Sequence, residues 1–334
     1  MAKKRYKGLT LLAGAAGFSA TAGAVYYAMG SAMRKKVLHR SAVADSWSPE
    51  KALQEADLET ILQKDPYFEM RRDGVEWYRL QEKKKVRTMS QRGMRIHAEL
   101  LESETPSDVW IISLHGYSAS PEIDGAVVKV FAEWGYNVLC PYLCGHGDSE
   151  SDYIAMGWLD RLDVLSWIDY LTRHYKDAKI ILHGMSMGGA TVMMTTGELL
   201  PDNVVCAVED CGYTSVWDEF SVQARDMFDR SPFPIINATN MVTRIKDGWG
   251  LKEASCVEAV RRSQTPTLFI HGDKDDFVPF WMLDTLYRSA ACEKEKLVIP
   301  GAEHAAAAGK NPELYFGTIK TFIEKHLERA EHER

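Results

Sequence analysis

Short apolar runs recur along the chain from about residue 85, each bounded by polar or glycine-containing segments. KVRTM and MRIHAELL come first, followed by VWIISLH, YNVLCPY, KIILHGM, VVCAVED, TLFIHG and KLVIPG. Between the later runs lie segments with apolar residues at helical spacing: DGAVVKVFAEWG, RLDVLSWIDYLTRHY, MGGATVMMTTGELL, FWMLDTLYRSA and the terminal PELYFGTIKTFIEKHLER. Strands apolar on both faces, alternating with amphipathic helices, predict an α/β fold with a mostly parallel eight-stranded sheet covered on both sides. The first two strands, joined closely at Arg92-Gly93, are expected to form an antiparallel edge. Residues 211–266 break the rhythm with more than fifty residues that contain Trp217, Phe220, Phe228 and Phe233 and are interrupted by Pro232 and Pro234. An insertion that long in a compact fold reads as a small helical lid, about 212–264, with those aromatics as candidate substrate contacts.

The amino-terminal end has a different pattern. Residues 8–33 hold no charged side chain, and basic clusters lie at both ends, with Tyr26 and Tyr27 near the second. The run is long enough to cross a hydrocarbon core of about 30 Å and longer than the 7–15 residues typical of a signal-peptide core. Residues 1–40 are therefore expected to be an uncleaved membrane anchor, with the domain behind it extracellular. Residues 41–84 read as a polar, partly helical linker, with Ser48 and Pro49 opening a helix. Residues 85–334 read as the main domain.

Charge sharpens this division. The chain has 334 residues, 40 Lys and Arg against 47 Asp and Glu, and a net charge of −7. The first 40 residues carry eight of those basic groups and no acid, which leaves the rest of the chain near −15. A body that acidic repels phosphate, so nucleic acid is excluded as a partner. The six cysteines show no metal-binding spacing and are expected to be unpaired, with Cys140 and Cys206 inside apolar strands. No His or Cys spacing indicates a metal site, and no cofactor is implied. Oligomeric state is not legible.

The sharpest chemical signal is Gly184-Met185-Ser186-Met187-Gly188-Gly189, which follows the strand KIILH and opens a helix. This is G-x-S-x-G in the strand–turn–helix setting it requires, where flanking glycines permit a tight turn that lifts the Ser186 hydroxyl beside a helix N-terminus. A serine nucleophile needs a base, and the base needs an orienting acid. The strand TLFIHG is followed by Asp273, Asp275 and Asp276, and the last strand by Glu303 and His304. Asp210, at the end of VVCAVED, is a further candidate acid. The order Ser…Asp…His at the ends of successive parallel strands fits a hydrolytic triad.

Through GMSMGG, HGDKDDFVP and PGAEHA the sequence resembles the α/β-hydrolase superfamily. Through GWLDRLDVLSWIDYL and EDCGYTSV it looks most similar to bacterial membrane-anchored hydrolases of the serine aminopeptidase and monoacylglycerol lipase type. The resemblance, which spans about residues 86–327, implies Ser186 as nucleophile, His304 as base and Asp275 as acid. It also implies an oxyanion hole from the Met187 and Tyr117 backbone amides. His146, His183 and His271 are then structural. The activity expected is cleavage of small-molecule carboxylic esters with a hydrophobic moiety. An aminopeptidase-like hydrolase, using Glu219, Asp226 or Asp229 to hold an amino group, and a catalytically silent membrane-tethered scaffold are the rivals.

Overall fold

The computed structural model describes residues 3–40, 67–228 and 231–332, with side chains placed from Thr21 onward and that of Phe228 excepted. The helix expected at Ser48 and most of the linker lie outside the described residues. Eight strands form one sheet: β1 (Lys84–Met89), β2 (Arg95–Leu101), β3 (Val109–Leu114), β4 (Asn137–Pro141), β5 (Lys179–Met185), β6 (Val204–Asp210), β7 (Thr267–Gly272) and β8 (Lys294–Ile299). Their spatial order is β1-β2-β4-β3-β5-β6-β7-β8. The first two pairings, β1 with β2 and β2 with β4, are antiparallel, and all others are parallel. The expected antiparallel edge is present, and its turn closes where Gly93 takes a positive φ of 74° and its N–H donates to the Ser90 carbonyl. This is the eight-stranded arrangement of an α/β-hydrolase.

Strands β6 and β7 are buried along their whole length, which is why their sequences read as unbroken apolar runs. Helices cover both faces. On one side α4 (Asp160–His174), α5 (Met187–Thr196) and α9 (Trp281–Ser289) enclose a core containing Trp110, Trp167, Met193 and Phe269. On the other, α2 (Phe68–Leu80), α3 (Gly125–Glu133) and α11 (Pro312–His332) pack Tyr78, Phe131, Tyr315 and Phe322 against Ile111, Val138 and Ile181. A short α10 (Ala307–Lys310) precedes α11. All six cysteines are buried and free.

The long interval folds as three helices, α6 (Val216–Phe228), α7 (Ile235–Asp247) and α8 (Cys256–Val260), which form a cap beside β6. The amino-terminal stretch is a helix, α1 (Lys3–Leu38). Among the described residues no helix is long and apolar enough to cross a membrane. The last third of α1 packs against the rest of the domain. Gly30 faces the Ala238 carbonyl of α7 so closely that a β-carbon would collide with it. Leu38 is 1% exposed within the larger core. The Leu38 carbonyl accepts the Ile154 N–H at 2.7 Å, and the Arg40 N–H donates to the Asp152 carbonyl at 2.8 Å.

Leu38→Ala therefore lowers stability by about 2–4 kcal/mol, the usual cost of emptying a buried leucine site. Urea denaturation of the full chain checks this: a helix merely tethered to the domain would leave the midpoint unchanged.

Candidate active site

Ser186 stands at the junction of β5 and α5 with φ 57° and ψ −117°, a conformation disfavoured for a residue with a side chain. The surroundings hold it there. Its N–H donates to the Asp210 carbonyl at 2.7 Å, and its carbonyl accepts the Ala190 N–H at 2.9 Å as α5 begins. A β-carbon on Gly188 would fall on the Leu114 carbonyl, and one on Gly184 would fall on the Gly188 backbone. The glycines of the motif are thus required by close approach of strands and helix.

The Ser186 hydroxyl is 2.9 Å from His304 Nε2, and His304 Nδ1 is 2.7 Å from Asp275 Oδ2. Both partners leave the carboxyl ends of neighbouring parallel strands, Asp275 after β7 and His304 after β8. Asp275 is 2% exposed, and its Oδ1 accepts the backbone N–H groups of Phe277 and Val278 at 3.0 and 2.8 Å. Burial pushes its pKa up, but hydrogen bonds from His271 and His304 outweigh that and hold the carboxyl below its usual range. The three side chains form a continuous hydrogen-bonded relay suited to moving the serine proton onto an imidazole.

His271, read from sequence as structural, is a partner of this relay. Its Nε2 lies 3.2 Å from Asp275 Oδ2 and donates to the Val278 carbonyl at 2.9 Å. Burial opposes its positive form, yet those bonds raise its pKa. Its place four residues before Asp275, at the end of β7, was the available signal. The other sequence candidates fall elsewhere. Asp210 accepts the Tyr315 hydroxyl at 2.9 Å, and Asp273 accepts the Gly301 N–H at 2.6 Å, so each orders structure behind the site. His146 and His183 are buried, and desolvation lowers their pKa to about 4 and about 3, so both stay neutral.

Opposite Ser186 runs the loop after β3. A β-carbon on Gly116 would lie 3.6 Å from the Ser186 Cβ, so this loop passes directly over the serine. Tyr117 follows, and Met187 is the first residue of α5. An apolar pocket of about 440 Å³ opens between Ser186, Tyr117 and His304, walled by Ile123, Val127 and Phe277. Its far side comes from α2 and the residue before it, Tyr67, Met70 and Arg71, within the stretch that the sequence assigned to a polar linker. Arg71 Nη2 donates to the Ala305 carbonyl at 3.0 Å and so braces the loop that bears His304. Asp124, also on the pocket wall, is buried, and desolvation raises its pKa to about 7.

The cap aromatics are a correction. Trp217 and Phe220 pack against the larger core, and Phe233 is 67% exposed to solvent; none of them lines this pocket. The Phe228 side chain lies outside the described residues. The cap instead touches the acid loop: Gln223 Nε2 donates to the Phe277 carbonyl at 2.8 Å and to Glu219 Oε1 at 3.0 Å. Two groups of metal-ligand type occur among the described residues, Cys211 with Asp275 and His304, and Cys144 with Asp160 and Asp163. In the first, Asp275 already bonds His304; in the second, Arg92 binds Asp163 at 2.6 Å.

Residues 121–330 match the profile of the prolyl oligopeptidase family. The uncharacterized protein YqkD of Bacillus subtilis is 23% identical over 229 residues, which are 68% of this chain and 74% of that protein. Among solved structures, the Pyrococcus furiosus esterase Pf2001 superposes with a TM-score of 0.59 at 22% identity, over 73% of this chain and 93% of the other. The acylaminoacyl peptidase of Pyrococcus horikoshii gives a TM-score of 0.54 at 18% identity, over 75% of this chain and 42% of the other. These structures are similar in fold.

Glu219 generates a pH dependence. It is 3% exposed, and burial, helped by the nearby charges of Asp275 and Asp226, raises its pKa to about 8. The unfolded chain ionises this group above about pH 4.5 while the folded chain keeps its proton to about 8, so stability falls with rising pH across that window, on the order of 1 kcal/mol per pH unit. Glu219→Gln removes this dependence, and thermal melts at pH 6 and 8.5 should show a larger gain at the higher pH.

Proposed function

The chain belongs to the prolyl oligopeptidase family and is a serine hydrolase of the α/β fold, and on that premise we propose that it cleaves carboxylic esters carrying a hydrophobic moiety. The observation that carries this reading is the Ser186–His304–Asp275 relay opening onto the apolar pocket. Ser186 Oγ attacks the acyl carbon as its proton passes to His304 Nε2. Asp275 keeps the Nδ1–H tautomer of His304 and stabilises the imidazolium that forms. The Met187 and Tyr117 amides receive the oxyanion, where a helix N-terminus and a dry wall make fixed donors effective. His304 then returns the proton to the departing alcohol. Water, activated by the same imidazole, releases the acyl group from Ser186.

Support for esters over amides comes from the cap, none of whose described acids lines the pocket, and from Asp124 on the pocket wall, whose burial raises its pKa to about 7 and favours its neutral form. An aminopeptidase needs an ionised carboxylate facing the substrate amine. Glu219 is buried against Gln223, Asp226 is exposed on the cap, and Asp229 lies outside the described residues. The peptidase reading keeps its weight from the family name and from the acylaminoacyl peptidase among the similar folds. A silent scaffold has no use for the complete relay.

The test is hydrolysis of p-nitrophenyl esters from acetyl to palmitoyl by the full chain, with Ser186→Ala beside it. The expected outcome is a Ser186-dependent rate that peaks at one chain length, with fluorophosphonate labelling lost in the variant. Aminoacyl p-nitroanilides turned over with higher kcat/KM than any ester would transfer the assignment to amide cleavage. Asp275→Asn should lower kcat roughly 10⁴-fold, because the histidine loses the tautomer it needs. A drop below tenfold would remove Asp275 from its role.

A further inference from the structure

Tyr117 reaches in two directions. Its backbone belongs to the loop that passes over Ser186, and its ring lines the pocket. Its hydroxyl, however, is turned away from the serine and donates to the Val37 carbonyl in the last turn of α1 at 2.8 Å. We infer that the carboxyl end of α1 is a positioning element of the active site, which sets the oxyanion loop through the Tyr117 hydroxyl. The inference rests on the reading of the Tyr117 amide as an oxyanion donor.

The geometry gives this contact a rigid base. A helix end leaves its last carbonyls without intrahelical donors, so the Val37 oxygen is a natural acceptor for an outside group. That end of α1 is fixed on several sides. Arg34 makes a two-pronged ion pair with Asp247 at the end of α7, its Nε 2.6 Å from Oδ2, and its guanidinium lies 3.5 Å over the Tyr153 ring. Arg34 is only 5% exposed, so the pair is shielded from solvent screening. The helix then continues into the buried Leu38, and Arg40 donates to the Gly147 and Ser149 carbonyls. The residue after Tyr117, Ser118, has a positive φ of 52°, so the loop has an unfavourable backbone that a fixed neighbour must sustain. The Tyr117 hydroxyl is therefore a lever between the catalytic loop and the amino-terminal helix, which lies outside the segment that reads as the hydrolase in the sequence.

The experiment is a double-mutant cycle on ester turnover by the full chain. Tyr117→Phe keeps the ring in the pocket and removes one hydrogen bond. It should lower kcat roughly three- to tenfold with KM unchanged. Arg34→Ala, which loosens α1, should lower kcat similarly in the wild-type background and by less than about twofold in the Tyr117→Phe background. If Arg34→Ala does not fold, Gly30→Leu, which wedges α1 from the Ala238 carbonyl, replaces it. A wild-type kcat in Tyr117→Phe, or effects that multiply in the double variant, would overturn the inference. A contact with a merely structural role would change the denaturation midpoint and leave kcat alone. If Ser186→Ala retains turnover, the hydrolase reading fails instead, so the two failures are distinguishable.

Discussion

Gly188 sits so close to the Leu114 carbonyl that no β-carbon fits between them, and a β-carbon on Gly189 would lie 2.9 Å from the Asp210 carbonyl. This double approach pins the start of α5 against the ends of β3 and β6, and everything at the site depends on it. It fixes Ser186 in its positive-φ turn, a conformation costing about 1–3 kcal/mol that persists only because the neighbours over-determine it. The same packing brings the loop after β3 over the serine. Parallel pairing of β5 through β8 then presents the acid and the imidazole from adjacent strand ends. A packing constraint on three strands and one helix thus sets the geometry of the chemistry.

The second determinant is electrostatic. Asp275 is buried, a setting that by itself favours the neutral acid, and yet two imidazoles and two backbone amides hold it ionised. His271 matters here because it faces the same carboxylate oxygen as His304 from the opposite side of the loop. Around this ionised centre lie acids whose burial favours their protonated forms, Glu209 and Glu219 at about 8 and Asp210 at about 6. Asp275 is the carboxylate of this cluster held below its usual range because it receives several donors.

The aromatic-rich cap plays a different part from the one its sequence suggests. The aromatic-rich insertion contributes core packing and a brace for the acid loop through Gln223, while the far wall of the pocket comes from α2. The last turns of α1 pack on α7 and accept a hydrogen bond from the Tyr117 hydroxyl in the loop after β3. In the cap, apolar composition was correctly read as burial, but composition does not say against what a surface is buried.

The eight strands, the alternation of strand and helix and the antiparallel edge were legible in the sequence, most clearly for β4, β6 and β7, whose two buried faces demand an unbroken apolar run. The nucleophile turn was legible for a related reason: close approach of backbones leaves glycine as the residue that fits, and glycine is visible at fixed spacing around Ser186. Strand ends, where a parallel sheet opens, pointed to His304 and to the loop holding Asp273, Asp275 and Asp276, and the family resemblance singled out Asp275. Arg71 as a brace on the His304 loop and Tyr117 as a link to α1 could not be read in this way. Each joins positions separated by a crossover, a helix or a domain boundary, and the pattern of a segment reports which side is buried but not its neighbour. Local periodicity and motif spacing determined the elements and the chemical groups. Only the tertiary structure decided the partners, because a contact between distant segments depends on how whole layers pack.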